Sequence, residues 1–144
     1  MLFSDASGRK IVSTGTAETV GWIDDFVVDP EVCSVVALKV KKADQGDILA
    51  WKRITAFGAD AVTVPGTDAI GDADDTVAAL ADKHKRLMGK RVLNTFGEDL
   101  GPVTDVEFDP KSGRLITLTL KTGSIAGERL LAVGTYATVV RPPS

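Results

Sequence analysis

The sequence predicts a mainly β protein, built as two small barrels in tandem and joined by a short linker that carries a helix. Three observations predict it. A block of residues recurs along the chain. Short runs rich in β-branched and aromatic residues lie between turn signals at about 8–12-residue spacing. The stretch between the two copies switches to helical periodicity. At 144 residues, 44% hydrophobic and 26% charged, the chain is long and apolar enough to bury a core.

The first copy opens with Gly8, Lys10 and Val12 and continues into a strand-like run from Val20 to Asp29 that contains Gly21, Trp22 and Asp25. An Asp29-Pro30 pair marks a turn, because proline presets φ for its second position. A second apolar run, Ser34 to Val40, leads through a polar loop to Leu49 and Ala50, and Gly58 precedes a closing strand, Ala61 to Val64. The second copy repeats this order. Gly21, Asp25, Asp29 and Pro30 return 80 residues later as Gly101, Asp105, Asp109 and Pro110, and the same offset aligns Lys10 with Lys90 and Val12 with Val92. Beyond the hairpin loop the offset falls to 76, so Leu49, Arg53, Gly58 and Val64 match Ile125, Arg129, Gly134 and Val140. Four residues are lost where a loop loses them most easily. Gly113, after Asp109-Pro110, suits a positive φ, and Ile116, Leu118 and Leu120 alternate with Thr117 and Thr119 as one buried strand face. The copies therefore span 1–68 and 89–141. In the linker, 69–88, Val77, Leu80, His84, Leu87 and Met88 fall at helical spacing, with an acidic start and Gly89 as caps. The tail from Arg141 reads as extended.

Charge narrows the function. Net charge is −3, from 17 Lys+Arg and 20 Asp+Glu, a poor footprint for a nucleic-acid binder. Lys83, Lys85, Arg86, Lys90 and Arg91 form a local basic stretch, readable as a solvated face or as a contact for RNA or an anionic surface. No apolar run reaches the ~18 residues of a membrane-spanning helix, and the N-terminus lacks the pattern of a secretory signal. One cysteine and one histidine exclude an internal disulfide and a Cys/His zinc site within one chain.

These motifs resemble the PRC-barrel family, whose members include the cytoplasmic domain of the photosynthetic reaction-centre H subunit and the C-terminal domain of the ribosome maturation factor RimM. The resemblance rests on Gly8 to Val12, Gly21 to Asp25, Asp29-Pro30 and Phe57-Gly58, and again on Gly89 to Val92, Gly101 to Asp105, Asp109-Pro110 and Val133-Gly134. It implies two small PRC-type barrels and docking onto ribosomal or membrane-complex proteins, and no activity.

Residues suited to chemistry are few. Cys33 reads as a small strand residue and His84 as a surface residue of the linker helix. The run Asp68, Asp72, Asp74, Asp75 fails calcium-loop spacing, and no phosphate-binding glycine motif is present. Recurring Asp25 and Asp105 fit turn geometry, with Arg53 and Arg129 as expected partners. Trp22 and Trp51, replaced by Pro102 and Gly127 in the second copy, are candidates for a partner surface. The expectation is a non-enzymatic interaction module without cofactor or metal. It would be cytoplasmic or peripheral to the membrane, binding another protein or a second copy of itself. Nucleic acid through 83–91 is the alternative.

Overall fold

The computed structural model describes residues 1–143. The elements, in order, are α1 (Phe3–Ala6), β1 (Lys10–Ser13), β2 (Thr19–Asp29), β3 (Ser34–Lys41), β4 (Ile48–Ala50), β5 (Ala56–Phe57), β6 (Ala61–Val64), β7 (Ile70–Gly71), α2 (Asp75–Leu80), β8 (Arg91–Asn94), β9 (Asp99–Pro102), β10 (Asp105–Phe108), β11 (Leu115–Leu120), β12 (Gly123–Ala126), β13 (Leu130–Val133) and β14 (Thr138–Val140). Single 3₁₀ turns occupy Trp51–Arg53, Thr67–Ala69, Lys83–Lys85 and Gly127–Arg129. The protein is mainly β, as the sequence predicts, and its sheets curl.

The first seven strands form one sheet in the order β5-β6-β1-β2-β3-β4-β7. The remaining strands form a sheet of three, β10-β11-β12, and a sheet of four, β13-β14-β8-β9. The same succession of pairings runs through both halves. β1 lies parallel to β6, as β8 lies parallel to β14. β2-β3-β4 is an antiparallel meander, as is β10-β11-β12. Trp51–Arg53 and Gly127–Arg129 are equivalent 3₁₀ turns. The long β2 is divided in the second half into β9 and β10. Pro102 stands at the break, where Trp22 stands in β2, and proline has no N–H to carry a ladder onward.

Some sequence expectations shift. In the first strand of each copy the structural offset is 81, because Ile11 opposes Gly21 as Val92 opposes Gly101. Ile11 and Val92 are thus equivalent, and both are fully buried. A slip of one residue would have turned them outward. In β11 it is Leu115, not Ile116, that faces the core with Leu118 and Leu120. The register slips where Phe108 meets Leu115, and Ile116 is 46% exposed. The linker helix is shorter than its periodicity suggests. Asp74 caps α2 by accepting from the Val77 N–H, and the helix ends at Leu80. Asp82 then accepts from the His84 N–H and starts a separate 3₁₀ turn. Segment 69–88 is also more than a connection. β7 extends the first sheet by pairing with β4, and Val77, Leu80 and Ala81 cover Val27, Ala37 and Ile48 on its outer face.

One apolar cluster runs through both halves. Its centre is aromatic. Phe3 stacks on Phe26 at 4.0 Å, and Phe108 from the second half lies 5.3–5.5 Å from the rings of Phe3, Phe26 and Phe57. Trp51 packs edge-on against Phe108 and stacks on Phe57. The chain start is drawn into this joint. The Met1 amino group donates to the Phe108 carbonyl, the Phe108 N–H donates to the Met1 carbonyl, and Leu2 bridges to Glu107.

Two stability predictions follow from this packing. Phe108→Ala should cost about 3–5 kcal/mol and lower the urea midpoint of both halves in one transition; separate transitions would show that the halves fold independently. Thr138 is fully buried, and its hydroxyl has no hydrogen-bond partner among the described residues. Its counterpart in the first half is Val62. Thr138→Val should therefore stabilise the protein by about 1 kcal/mol, read as a raised urea midpoint with an unchanged slope.

Candidate interaction surfaces

The recurring sequence positions are accounted for by turns and by the joint between the halves. Asp29 and Asp109 each accept from the N–H two residues on, at 2.9 and 2.8 Å, closing the Asp-Pro turns of Pro30 and Pro110. Gly58 and Gly134 each donate to an alanine carbonyl three residues on, both at 3.0 Å. Gly21 and Gly101 recur for different reasons. A Cβ on Gly21 would lie 2.5 Å from Val40, whereas Gly101 has open space but a φ of +98°.

Asp25 and Asp105 hold equivalent register positions, opposite Lys39 and Thr119, and accept from the next residue's N–H, Phe26 and Val106, at 2.8 Å each. Neither meets the arginine expected from the sequence. Arg53 donates instead to the Asp68 carbonyl at 3.0 Å, and Arg129 to the Arg141 carbonyl at 2.9 Å. Both arginines leave their 3₁₀ turns toward the segment that follows their half's last strand, β6 or β14, whose carbonyls they reach in place of a carboxylate. The aspartates are met from the opposite half. Arg86, just before β8, reaches Asp25 with Nε–Oδ2 at 2.9 Å. Ser4, just before β1, donates to Asp105 from its N–H at 3.2 Å and from its hydroxyl. Each half's lead-in thus crosses to hold the other half's aspartate.

Cys33 lies in a turn rather than in a strand, with a φ of +48° matching the +81° of its counterpart Gly113. Its thiol is directed at the Pro30 and Leu130 carbonyls, both at 3.4 Å.

The two tryptophans diverge. Trp51 is half-buried in the joint. A Cβ on Gly113 would lie 3.0 Å from its indole, so the pair fits only because Gly113 has no side chain. A shallow groove of about 430 Å³ remains beside it, lined by Ile54, Phe57, Pro110 and Lys111. Trp22 belongs to neither apolar cluster. Strand register places Lys10 and Lys41 on either side of it, and the Lys42 ammonium lies 5.4 Å from its ring. Sequence reading missed this group of three lysines around one indole. Lys10 and Lys41 meet Trp22 only through pairings with β1 and β3.

The basic stretch is largely engaged by the chain itself. Arg86 holds Asp25, and Arg91 pairs with Asp99 at 3.2 Å while donating to the Tyr136 hydroxyl. The Lys90 ammonium is directed at the His84 and Thr135 carbonyls. Lys83 and Lys85 stand beside Asp82. The His84 N–H holds the Asp82 carboxyl below the usual carboxylate range, with the charges of His84, Lys85 and Lys39 in support.

Residues 82–141 match the family model of the PRC-barrel domain. This stretch of the chain is similar to a PRC-barrel domain. The match covers β8 to β14 together with the lead-in that contains Arg86. The ion pair to Asp25 is therefore made from the leading segment of the matched stretch. No curated protein matches the chain. Among the described residues no helix is long and apolar enough to cross a membrane.

The crossing of the lead-ins is testable by a double-mutant cycle. Asp25→Ala and Arg86→Ala should couple by about 0.5–1 kcal/mol in urea denaturation, the scale of a partly exposed pair. Asp25→Ala and Arg53→Ala should be additive. Coupling to Arg53 in place of Arg86 would contradict the geometry.

Proposed function

We propose that the whole chain is a non-enzymatic, tandem PRC-type module that docks a protein partner. The first half acts as a second barrel of the same kind, and the setting is a cytoplasmic ribosome-assembly or membrane-associated complex. The PRC-barrel match supports the class of function. The recurrence of strand pairings, 3₁₀ turns and the aspartates at equivalent register positions supports extending it to the first half.

The observation that carries the reading is Trp22. Trp22 is half-exposed, lies in neither apolar cluster and is framed by Lys10, Lys41 and Lys42, and tryptophans so placed anchor interfaces. Trp51 is differently placed, because its removal would open the joint. The same lysines support a second reading, in which the patch takes an anionic polymer such as RNA by stacking on Trp22. The overall charge of −3 favours a protein.

The test is capture from native lysate with the tagged full chain, at low and high salt, with and without nuclease. Recovery of a protein that resists salt and nuclease and is lost with Trp22→Ala supports the module. Recovery of RNA alone, only at low salt, supports the second reading. A partner retained by Trp22→Ala removes the patch from the interface.

A further inference from the structure

In the first half, the far edge of the meander is closed. β7 pairs with β4, Gly71 against Ile48 and Ile70 against Leu49. The segment that supplies β7 is acidic, and Asp68, Asp72 and Asp74 share a pocket there with Lys52 and Arg53. In the second half the equivalent strand is β12, the last strand of its three-stranded sheet, and no strand among the described residues covers it.

The backbone of that edge points outward. In the first half Lys39 opposes Ile48, and Val40 donates to the Asp47 carbonyl one step further on. That is the pattern of an antiparallel pair whose two residues do not bond each other, which frees Ile48 to face β7. In the second half the Thr119 carbonyl is engaged by Thr104, on the β10 side. Its register partner Ser124 therefore directs its N–H and C=O away from β11, into the open edge. Ser124 and Ala126 are exposed.

The surroundings give the charge of the occupant. Arg114, Arg129, Arg141 and Glu128 line the two shallow pockets beside this edge, and Lys121 lies in the β11–β12 turn. Glu128 is paired with Arg114 at 3.8 Å, and no carboxylate among the described residues forms an ion pair with Lys121, Arg129 or Arg141. The face beside the edge also differs between the halves. Where the first half presents Val27, Ala37 and Ile48 to α2, the second presents Glu107, Thr117 and Ser124. A polar face has no use for an apolar helix, so the occupant is a strand.

We propose that β12 is a docking edge for an acidic, extended segment of a partner protein, which adds antiparallel to Ser124 and Ile125 as β7 adds to Ile48 and Leu49. Main-chain bonds supply the affinity and the arginines and lysine select the charge. The inference rests on the interaction-module reading and names one surface and one partner chemistry for it.

The test titrates the isotopically labelled full chain with a synthetic peptide of the chain's own sequence 66–74, observed by amide NMR. The expected result is saturable shifts at Gly123, Ser124, Ile125 and Ala126. Replacing the three aspartates of the peptide with asparagine should weaken binding by about threefold to tenfold. Ser124→Pro should abolish it, because it removes the outward N–H. Arg141→Glu, which leaves the sheet backbone untouched, should weaken it by a similar factor to the neutral peptide. Absence of shifts at millimolar peptide overturns the proposal. So do shifts confined to β4, or shifts at β12 that follow protein concentration without peptide, which would assign the edge to a second copy. A null titration beside a lysate partner that survives Ser124→Pro removes the edge while leaving the module reading in place.

Discussion

Two backbone hydrogen bonds across the joint organise the rest of the molecule. The Val35 N–H donates to the Gly113 carbonyl at 2.8 Å, and the Leu115 N–H donates to the Cys33 carbonyl at 2.9 Å. Val35 and Leu115 are equivalent residues of the two halves, and so are Cys33 and Gly113. The contact is reciprocal, as in a two-fold dimer in which one patch meets its own copy. Here the two halves of one chain face each other through the starts of β3 and β11. The bridge between Ser34 and Arg114 completes the seam. Both turn residues must adopt the left-handed conformation to present their carbonyls across it, at φ +48° and +81°.

A reciprocal joint need not be symmetric in its side chains, and this one is not. Trp51 lies over Gly113, where a Cβ would collide with both its indole and the Val35 carbonyl. On the opposite side the residue equivalent to Trp51 is Gly127, where a Cβ would lie 2.3 Å from the Leu115 carbonyl oxygen, and the Cys33 thiol reaches the Leu130 carbonyl nearby. The indole of Trp51 sits over a glycine on one side, and no indole stands on the other. Phe108 carries the asymmetry into the core. It occupies the place that Val28 holds in the first half, and its ring fills a space bounded by Phe3, Phe26 and Phe57. Aromatic pairs contribute about 0.5–1.5 kcal/mol each beyond burial. Phe108 makes four of them across the joint and ties the halves into one core.

This division explains what was legible in the sequence. Glycine, Asp-Pro and strand patterns act within one copy, so the repeat, the strand runs, the Asp-Pro turns and the positive φ of Gly113 could all be read from spacing. Contacts between copies leave no local pattern. Nothing near Asp25 points to Arg86, and Arg53, with its equivalent at Arg129, looked the natural partner until the crossing of the lead-ins brought Arg86 across instead. Trp51 and Gly127 looked like a lapse in the repeat, yet Trp51 fits against Gly113 in the other half and Gly127 against Leu115 in its own. The lysines around Trp22 belong to three separate segments, and only strand register assembles them. Leu115 displaces Ile116 from the core because a bulge shifts the phase of the alternation, and period-two reasoning assumes an unbroken phase.

Duplication frees whatever the joint does not use. Both inner faces are constrained, because each must fit the other and the shared aromatic centre. The outer faces are not, and there the copies have parted. In the first half the chain turns back after β6, lays β7 along the edge and α2 over Val27, Ala37 and Ile48, so that edge and face are both occupied by the chain itself. In the second half the matching face has become Glu107, Thr117 and Ser124, side chains that are stable in water without a cover. A strand edge with outward N–H and C=O groups is a template for pairing, and proteins blunt it by covering it, by bulging it or by charging its surroundings. The β12 edge carries only the last of these, cationic side chains. Charge of one sign repels another copy of the same edge and attracts a strand of opposite sign, so one feature of the surroundings opposes self-pairing and favours an acidic strand.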